Sequence, residues 1–344
     1  MESYLEKSRN RPMSSFYKAY EWRRLSVFDG LDLFKRWNVK MREKVNDPLL
    51  KRARYDKSQE STYSNSRSMP WAVKDWFELT RLVGALQYHN PRCLLWFRGE
   101  DQKYPHAMPK ACRSKKEKKE FWEAIEWYNE NCGKGPLLRE RRELARWAIL
   151  QHYGAPTPLL DITTSYRVAT NLACWRFAID KGKVVAQKNE LPYLSVFATP
   201  RPISSTNIFT DAGLCLMDLA AELPSHCLRP HVQRAGFIGL IDTLMSGLNK
   251  SEDLPIDETY ASLDCVQIAY IHILDPNIIG KPVPETIYPP ASPETVFTEK
   301  KDPKDDMTGD YLLRVLYDLG AYRAIDGFKK YYWELKNTEG FCTP

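Results

Sequence analysis

The 344-residue sequence lacks any run of eighteen apolar residues, so it offers no segment able to cross a bilayer as a helix. Its first eighteen residues, MESYLEKSRNRPMSSFYK, also lack the apolar core that a secretory leader needs. We therefore expect a cytoplasmic protein that has no membrane partner. In such a reducing compartment the eight cysteines should stay unpaired.

The cysteines include no Cys-x-x-Cys pair, which disfavours a zinc ribbon or a redox motif. A dense set of carboxylates, or of His and Cys at ligand spacing, is likewise missing from the sequence. A metal-dependent nuclease therefore ranks last among the functions considered. We predict that most of the cysteines are small buried apolar residues.

The net charge of +6 is mild and concentrated in residues 1–60, which hold fifteen Lys or Arg against nine Asp or Glu. A second basic cluster, RSKKEKKE, occupies residues 113–120. Two interpretations of this cluster stay open: the solvated start of a helix, or a groove for phosphates supported by neighbouring aromatics. Those aromatics recur at helical spacing, which favours core packing. They are Phe121, Trp122, Trp127 and Tyr128.

Hydrophobic periodicity predicts helices in the first half of the chain and strands mainly in the second, which is an α+β order. One strand, CLLWFRG, is expected among the helices, and the later strands are YLSVFAT, RAGFIGLI and CVQIAYIHIL. Gly154 should cap the helix that precedes it, and Thr164 or Ser165 should begin the next one. The predicted helices cover residues 14–45, 71–87, 115–131, 137–151, 164–180 and, around Gly320, 308–337.

Composition divides the chain into three parts. Residues 1–70 form a basic helical extension that ends in a Ser-rich linker. Residues 71–275 form the main domain, and residues 276–344 form a Pro-rich loop and C-terminal helices.

Two stretches gather polar side chains beside apolar runs. Arg98 and Gly99 end LLWFRGED, where a guanidinium offers donors for phosphate oxygens and a glycine permits close approach of a ligand. QHYGAPTPLLDITTS, residues 151–165, places His152 and Asp161 around a rigid proline turn. The alternatives are an ordinary arginine paired at a strand edge, and a connection between helices with a capped start.

Taken together, these two stretches resemble the FRG domain family, named after its Phe-Arg-Gly signature. The similarity runs from about residue 75 to 275 and includes a weaker late block, RPHVQRAGFIGL, with Gln233. Arg113 could supply a further arginine of the family pattern. Pro158 and Ile162 stand where the family usually has Arg and Trp.

The resemblance implies a distant similarity to ADP-ribosyltransferases, which hold NAD in the cleft of a split, mostly antiparallel sheet. On this basis Arg98, His152, Asp161 and Gln233 are expected to be catalytic. Cofactor-binding roles are expected for Arg98, Gly99, Tyr153, Thr163 and Thr164.

The function expected from this resemblance is an NAD-dependent ADP-ribosyltransferase toxin of phage defence, with NAD as its substrate. Its acceptor is expected to be nucleic acid, with RNA favoured because of the basic clusters. A toxin implies an antitoxin protein as its partner, for which the Pro-rich loop or the C-terminal helices would be docking surfaces. The alternatives are a protein-directed transferase and a non-catalytic module that binds nucleotide or RNA.

Overall fold

The computed structural model describes most of the chain between residues 70 and 325. The described residues are 54–55, 70–89, 93–132, 143–180, 183–200, 208–211, 214–240, 263, 266–283, 286–289, 310–325 and 328. The predicted helix over 14–45 and most of the predicted Pro-rich loop lie outside them.

A nine-stranded sheet forms the centre of the molecule. Its strands are β1 (Arg54–Tyr55), β2 (Pro70–Val73), β3 (Cys93–Glu100), β4 (Leu160–Thr163), β7 (Tyr193–Pro200), β8 (Ile208–Asp211), β9 (Leu214–Asp218), β10 (Ala235–Leu240) and β11 (Gln267–Ile273). They lie in the order β1-β2-β11-β7-β3-β4-β10-β9-β8. All neighbours are antiparallel except β2 and β11. A separate hairpin joins β5 (Trp175–Asp180) to β6 (Lys183–Lys188). The predicted mixed α and β class with a mostly antiparallel sheet is confirmed.

The two halves of the sheet separate between β3 and β4. These strands share one pair of partners, Phe97 with Thr163. On either side of this boundary, β3 pairs with β7 over eight residues and β4 pairs with β10 over four. We call the boundary the seam. Because the strands diverge there, side chains of β3 and β4 border a space that a continuous ladder would close.

Eight α-helices of the described chain flank the sheet. They are α1 (Trp76–His89), α2 (Lys115–Asn131), α3 (Glu143–His152), α4 (Tyr166–Cys174), α5 (Leu219–Glu222), α6 (Leu228–Val232), α7 (Tyr311–Asp318) and α8 (Ala321–Ala324). Ser114 caps α2 and Ser165 caps α4, each accepting a backbone N–H three residues on. Gly154 follows α3 with a φ of 103°, and the next N–H returns to Leu150, which closes the helix as predicted.

Three groups of buried side chains pack around the sheet. One lies between α1, α4 and the β3 half, and includes Leu79 and Val196. Another packs α2, α3, α7 and α8 against the β4 half, and includes Trp147. The third crosses the seam, where Trp96 and Ile162 belong to the same cluster. Apolar packing therefore joins the two halves where the backbone ladder does not.

Two predicted element boundaries were wrong. The helix expected from about Trp71 begins at Trp76, because residues 70–73 form β2 and pair with β11. The helix expected over 164–180 ends at Cys174, and residues 175–180 become a strand. Pairing with the distant β11 outweighs the local helical pattern at residues 70–73, and hairpin pairing with the adjacent β6 does so at residues 175–180. The helix at 115–131, the strand at 93–99 and the two helices around Gly320 are confirmed.

The cysteines whose side chains the structure describes are buried and unpaired, as predicted: Cys112, Cys132, Cys174, Cys215 and Cys227. Burial raises the pKa of the thiols of Cys112, Cys132, Cys174 and Cys215 to about 12. They therefore behave as apolar residues at neutral pH. In the described part of the chain, every helix is too short or too polar to cross a bilayer.

Candidate functional site

A pocket of about 400 Å³ opens at the seam. This volume falls within the range of about 300–1000 Å³ that is usual for small-molecule sites. The pocket lies between β3, β4, β10, the end of α3 and the start of α6. Its lining includes Arg98, Lys110, Arg113, Gln151, His152, Asp161, Thr163, Arg229, Gln233, Phe237 and Tyr288.

Arg98 crosses the seam from β3 to β4. Its Nη1 donates a 2.9 Å hydrogen bond to the carbonyl oxygen of Asp161 and lies 3.6 Å from that residue's Oδ2. On its other side, Nε lies 3.9 Å from Oε1 of Glu100, whose side chain is only 3% exposed. The Arg98 side chain is 21% exposed. Arg98 is thus fixed between two carboxylates and still borders the pocket.

Gln151 holds the other side of Asp161. Its Nε2 donates to Oδ2 of Asp161 over 3.1 Å. Its Oε1 accepts both the backbone N–H of Thr157, at 3.0 Å, and the Thr157 hydroxyl, at 2.7 Å. Because the Thr157 N–H can only donate, it fixes which end of the Gln151 amide faces the carboxylate. The rigid proline turn therefore sets the position of Asp161 through Gln151.

Two opposing effects act on the Asp161 carboxyl group. Desolvation by the surrounding protein raises its pKa, whereas Arg98 and the Gln151 hydrogen bond lower it, and the net direction is upward. The side chain is nevertheless 46% exposed, and it lines the pocket. A carboxylate that is partly enclosed, paired with a cation and accessible from a pocket is suited to acid–base or electrostatic work.

His152 borders the same space from the last turn of α3. Its ring is packed edge-on against Tyr153, with centroids 5.3 Å apart, and against Phe237, at 6.2 Å. Only 8% of the residue is exposed. Aromatic packing therefore fixes the imidazole while leaving one edge at the pocket.

Arg229 brings a second guanidinium to the pocket. The residue is 4% exposed. Its guanidinium carbon lies 4.5 Å from the ring centre of Tyr288 and 5.4 Å from that of Tyr153. A buried cation between two aromatic faces is held by the negative faces of the rings.

Lys110 and Arg113 border the pocket at its mouth, and both are exposed. Arg113 donates from Nε and Nη2 to the carbonyl oxygen of Met108, at 3.2 and 3.1 Å, and stacks 5.1 Å from the ring centre of Tyr104. Among the described residues that line the pocket, Asp161 is the only carboxylate. The lining therefore has a surplus of positive charge.

Residues 94–180 match the FRG domain family. No curated protein and no solved structure matches the chain. The matched region spans β3 to β5, and so it supplies both sides of the seam together with Arg98, Gln151, His152 and Asp161.

Not all of the predicted site residues reach the pocket. Arg98, Gly99, His152, Asp161 and Thr163 line it, as does Gln233 beyond the matched region. Tyr153 is fully buried, and its hydroxyl donates to Oδ2 of Asp310 over 2.6 Å. Thr164 is not among the lining residues, and its N–H bonds to the carbonyl of Arg234.

Three of the lining residues have a structural task that explains their identity. A Cβ on Gly99 would lie 2.1 Å from the carbonyl oxygen of Ala169, so glycine allows α4 to pack on β3. The Thr163 hydroxyl donates to the carbonyl of Gln233 over 2.7 Å. The Gln233 amide in turn donates to the carbonyl of Ile287 over 2.7 Å, which places the neighbouring Tyr288 at the pocket.

Sequence reasoning missed the site roles of Gln151, Lys110 and Arg229. Gln151 is the first residue of the polar stretch 151–165, and this position could have indicated a role in the site. Arg229 gave no local signal, because it follows an apolar residue in a short segment that contact with Tyr153 and Tyr288 brings to the pocket. Within the described residues, no group of three or more His, Cys, Asp or Glu is placed to hold a metal ion.

The basic helix α2 agrees with the interpretation that its aromatics serve the core. Phe121 and Tyr128 are buried, and Trp122 and Trp127 pack against the same cluster. Ion pairs of 3.6 and 3.5 Å join Lys116 to Glu120 and Lys119 to Glu123. The aromatics of α2 thus contribute to the core, with Phe121 and Tyr128 buried and Trp122 and Trp127 partly buried, and the exposed face of the helix carries lysines.

Proposed function

We propose that the pocket binds NAD and that the protein transfers ADP-ribose from it to an acceptor. The observation that carries this proposal is the joining of Arg98 and Asp161 across the seam, inside a pocket of positive surplus. The pyrophosphate of NAD is a dianion, and guanidinium groups suit its oxygens. The pyrophosphate oxygens would be bound by Arg98, by Arg229 deeper in the pocket, and by Lys110 and Arg113 at its mouth.

The proposed chemistry uses Asp161, the one carboxylate among the described residues that line the pocket. As the bond between nicotinamide and ribose C1′ breaks, nicotinamide leaves with the bonding electron pair and becomes neutral, while positive charge develops on the ribose. The Asp161 carboxylate stabilises that charge, and Arg98 keeps the carboxylate in place. An acceptor oxygen or nitrogen then attacks C1′ and gives its proton to Asp161 or His152.

We propose nucleic acid, with RNA favoured, as the acceptor. The mouth residues Lys110 and Arg113 continue along the chain into the basic first turns of α2. Residues 110–119 contain six Lys or Arg and one acidic residue, Glu117. A polyanion crossing this surface would pass the pocket entrance, and its binding would weaken steeply with added salt.

The first experiment incubates the full chain with NAD labelled in the adenylate part and with separate pools of protein, RNA and DNA. Label should enter the RNA pool, and both Arg98→Ala and Arg98→Lys should abolish it. Arg176→Ala, an exposed arginine on β5, is the matched control and should leave labelling intact. Label in the protein pool instead of the RNA pool would show that the acceptor is a protein. Without label in any pool and without nicotinamide release, the transferase proposal fails.

A second candidate is a non-catalytic module that binds a nucleotide or RNA. It is favoured by Gln233, whose amide is engaged with Ile287, so that the late position holds neither a carboxylate nor a side chain aimed at a ligand. The same experiment separates the two functions. NAD binding that depends on Arg98, without release of nicotinamide, would support the module.

The toxin role and its antitoxin partner are part of the same proposal. Expression of the wild-type chain should arrest growth, and Arg98→Ala should relieve the arrest if the pocket is responsible. Equal arrest by both chains would remove Arg98 from the mechanism. The C-terminal helices are poor candidates for docking an antitoxin through α7, since Leu312, Leu313 and Leu316 are already buried in the core.

A further inference from the structure

A row of buried polar side chains crosses three neighbouring strands beside Arg98. Glu100 follows Arg98 by two residues on β3, so the two side chains share one face of the sheet. Ser195 on β7 is the backbone partner of Arg98, and Gln267 belongs to β11, the next strand in the sheet. Glu100, Ser195 and Gln267 are 4%, 0% and 3% exposed. We call these three residues the polar row.

The hydrogen bonds of the polar row run in one direction, from β11 to β3. Gln267 donates from Nε2 to Oγ of Ser195 over 3.0 Å, and the Ser195 hydroxyl donates to Oε1 of Glu100 over 2.9 Å. The same Oε1 lies 3.9 Å from Nε of Arg98. Because the Ser195 hydroxyl has one proton, which it gives to Glu100, its oxygen is the acceptor for Gln267. Side chains of β7 and β11 therefore set the position of a carboxylate on β3.

The stability of the fold gives little reason for a carboxylate at this place. Removing a charged group from water is costly, and a buried ion pair often stabilises a protein no more than apolar side chains of similar volume do. Glu100 is nevertheless buried, hydrogen-bonded and paired with Arg98. Orientation of the arginine explains this arrangement better than packing does.

The contacts of Arg98 leave one edge of its guanidinium for a ligand. Nε lies on the side of Glu100, and Nη1 donates to the carbonyl oxygen of Asp161. Among the described residues, none accepts a hydrogen bond from Nη2 of Arg98, and Arg98 lines the pocket. Nη2 is thus the donor that an anionic group entering the pocket would meet.

We propose that Glu100 is a positioning residue for Arg98, and that Ser195 and Gln267 hold Glu100 in the orientation that this role needs. Glu100 is not among the residues that line the pocket, so it acts through Arg98. The anion site then depends on residues 195 and 267, which lie outside the region that matches the FRG family. This inference goes beyond the proposed function, because it applies to any anionic ligand of the pocket.

The first test follows the reaction of Arg98 with phenylglyoxal in the ligand-free full chain, by mass spectrometry of the peptide that carries Arg98. Phenylglyoxal condenses with the two terminal nitrogens of a guanidinium, so an arginine held by its neighbours reacts slowly. Glu100→Gln keeps the size of the side chain and an oxygen for Ser195, but removes the charge. Arg98 should then react severalfold faster than in the wild type. Glu190→Gln, an exposed acid before β7, is the matched control and should leave the rate unchanged.

Arg229 provides an internal reference in the same digest. It is 4% exposed, so a general loosening of the fold would raise its rate of reaction as well. A rise confined to Arg98 supports the inference. An unchanged Arg98 rate in Glu100→Gln, or one that rises only together with that of Arg229, would overturn it.

Ser195→Ala tests the polar row without changing either charge. It removes the hydroxyl that donates to Glu100, and Arg98 should again react faster, although by less than in Glu100→Gln. Thr199→Ala on the same strand removes another buried hydroxyl, which accepts from Nε1 of Trp96, and should not affect Arg98. Equal Arg98 rates in Ser195→Ala and the wild type would overturn the role of Ser195 and Gln267.

A double-mutant cycle connects the inference with the ligand of the pocket. Affinity for NAD should fall about tenfold in Glu100→Gln, whereas the same change in an Arg98→Gln background should cost nothing further, because Glu100 acts through Arg98. Equal losses in the two backgrounds would contradict the positioning role. A wild-type chain that does not bind NAD would remove the proposed function, and the phenylglyoxal rates would still decide this inference.

Discussion

The side chains of Gln151 and Asp161 meet at 3.1 Å across the turn that separates them, with Nε2 donating to Oδ2. Thr157, inside the turn, fixes the direction of the amide by donating twice to Oε1. The polar residues of this stretch therefore form one connected unit. This unit holds the Asp161 carboxylate between the side-chain amide of Gln151 and the guanidinium of Arg98.

Replacing Gln151 by Glu should lower NAD cleavage by about tenfold to a hundredfold at neutral pH. A second carboxylate would face Asp161, and repulsion between like charges would raise the pKa of the pair. Because one proton relieves the repulsion, the loss should be smaller at pH 5 than at pH 8. The comparison is the rate of nicotinamide release over this pH range. Gln187→Glu, exposed on β6, makes the same change away from the pocket and should leave the rate unaltered. A parallel loss at every pH would contradict the coupling of the two side chains.

Gly99→Ala should destabilise the protein by about 1–3 kcal/mol or more, measured as the free energy of unfolding in denaturant. The new methyl group would lie 2.1 Å from the carbonyl oxygen of Ala169 and 2.6 Å from the nitrogen of Ala173, so α4 must move away from β3. Gly84→Ala provides the contrast, since nothing lies within 4 Å of its added methyl group. This exposed position inside α1 should gain about 0.5–1 kcal/mol. Equal effects of the two changes would show that helix packing does not explain Gly99.

Because of the Asp310 carboxyl group, the free energy of unfolding should depend on pH between about pH 4 and pH 6. Burial raises the pKa of its carboxyl group from 3.8 to about 6 in the folded chain, despite the opposing hydrogen bond from Tyr153 and the charge of Arg229. The folded state binds the Asp310 proton more tightly than the unfolded state does. The protonated Asp310 carboxyl group therefore contributes fully to the free energy of unfolding below pH 4, and this contribution is lost as the pH rises through 6. Two pKa units correspond to about 3 kcal/mol.

The measurement is the free energy of unfolding of the wild type and of Asp310→Asn at intervals from pH 4 to pH 7. The advantage of the wild type over the variant should shrink by about 3 kcal/mol across that range. Asp318→Asn, which leaves Asp310 in place, should follow the wild-type curve. Parallel curves for the wild type and Asp310→Asn would contradict the raised pKa.

Sequence periodicity predicted the elements whose pattern is local. Helix α2 was placed at its observed bounds, because Ser114 caps it and its apolar residues recur on one face. No pattern near Trp71 reveals that residues 70–73 pair with β11, so the helix expected there starts too early. Residues 175–180 continue the helical pattern before them, although their hairpin partner β6 follows directly in the chain.

The site was predictable to the extent that its residues lie in the two motifs. Arg98, His152 and Asp161, which the family resemblance implied as site residues, line one pocket. Tyr153 stands beside His152 in the chain, yet the helical turn sends its side chain to the opposite side, into the core. Arg229 enters the pocket through contacts with residues 76 before it and 59 after it, a relation that no single-sequence pattern carries.

The seam has a mechanical consequence. Phe97 and Thr163 are the one pair of backbone partners between β3 and β4. The two halves of the sheet are therefore held together mainly by side chains, above all by the Arg98 contacts and the apolar cluster around Trp96. A ligand that contacts both Arg98 on β3 and Asp161 on β4 would add a further connection between the two halves of the sheet. We therefore expect ligand binding to stabilise both halves of the sheet, so that amide hydrogens far from the ligand, along β7 and β10, exchange more slowly in the bound protein.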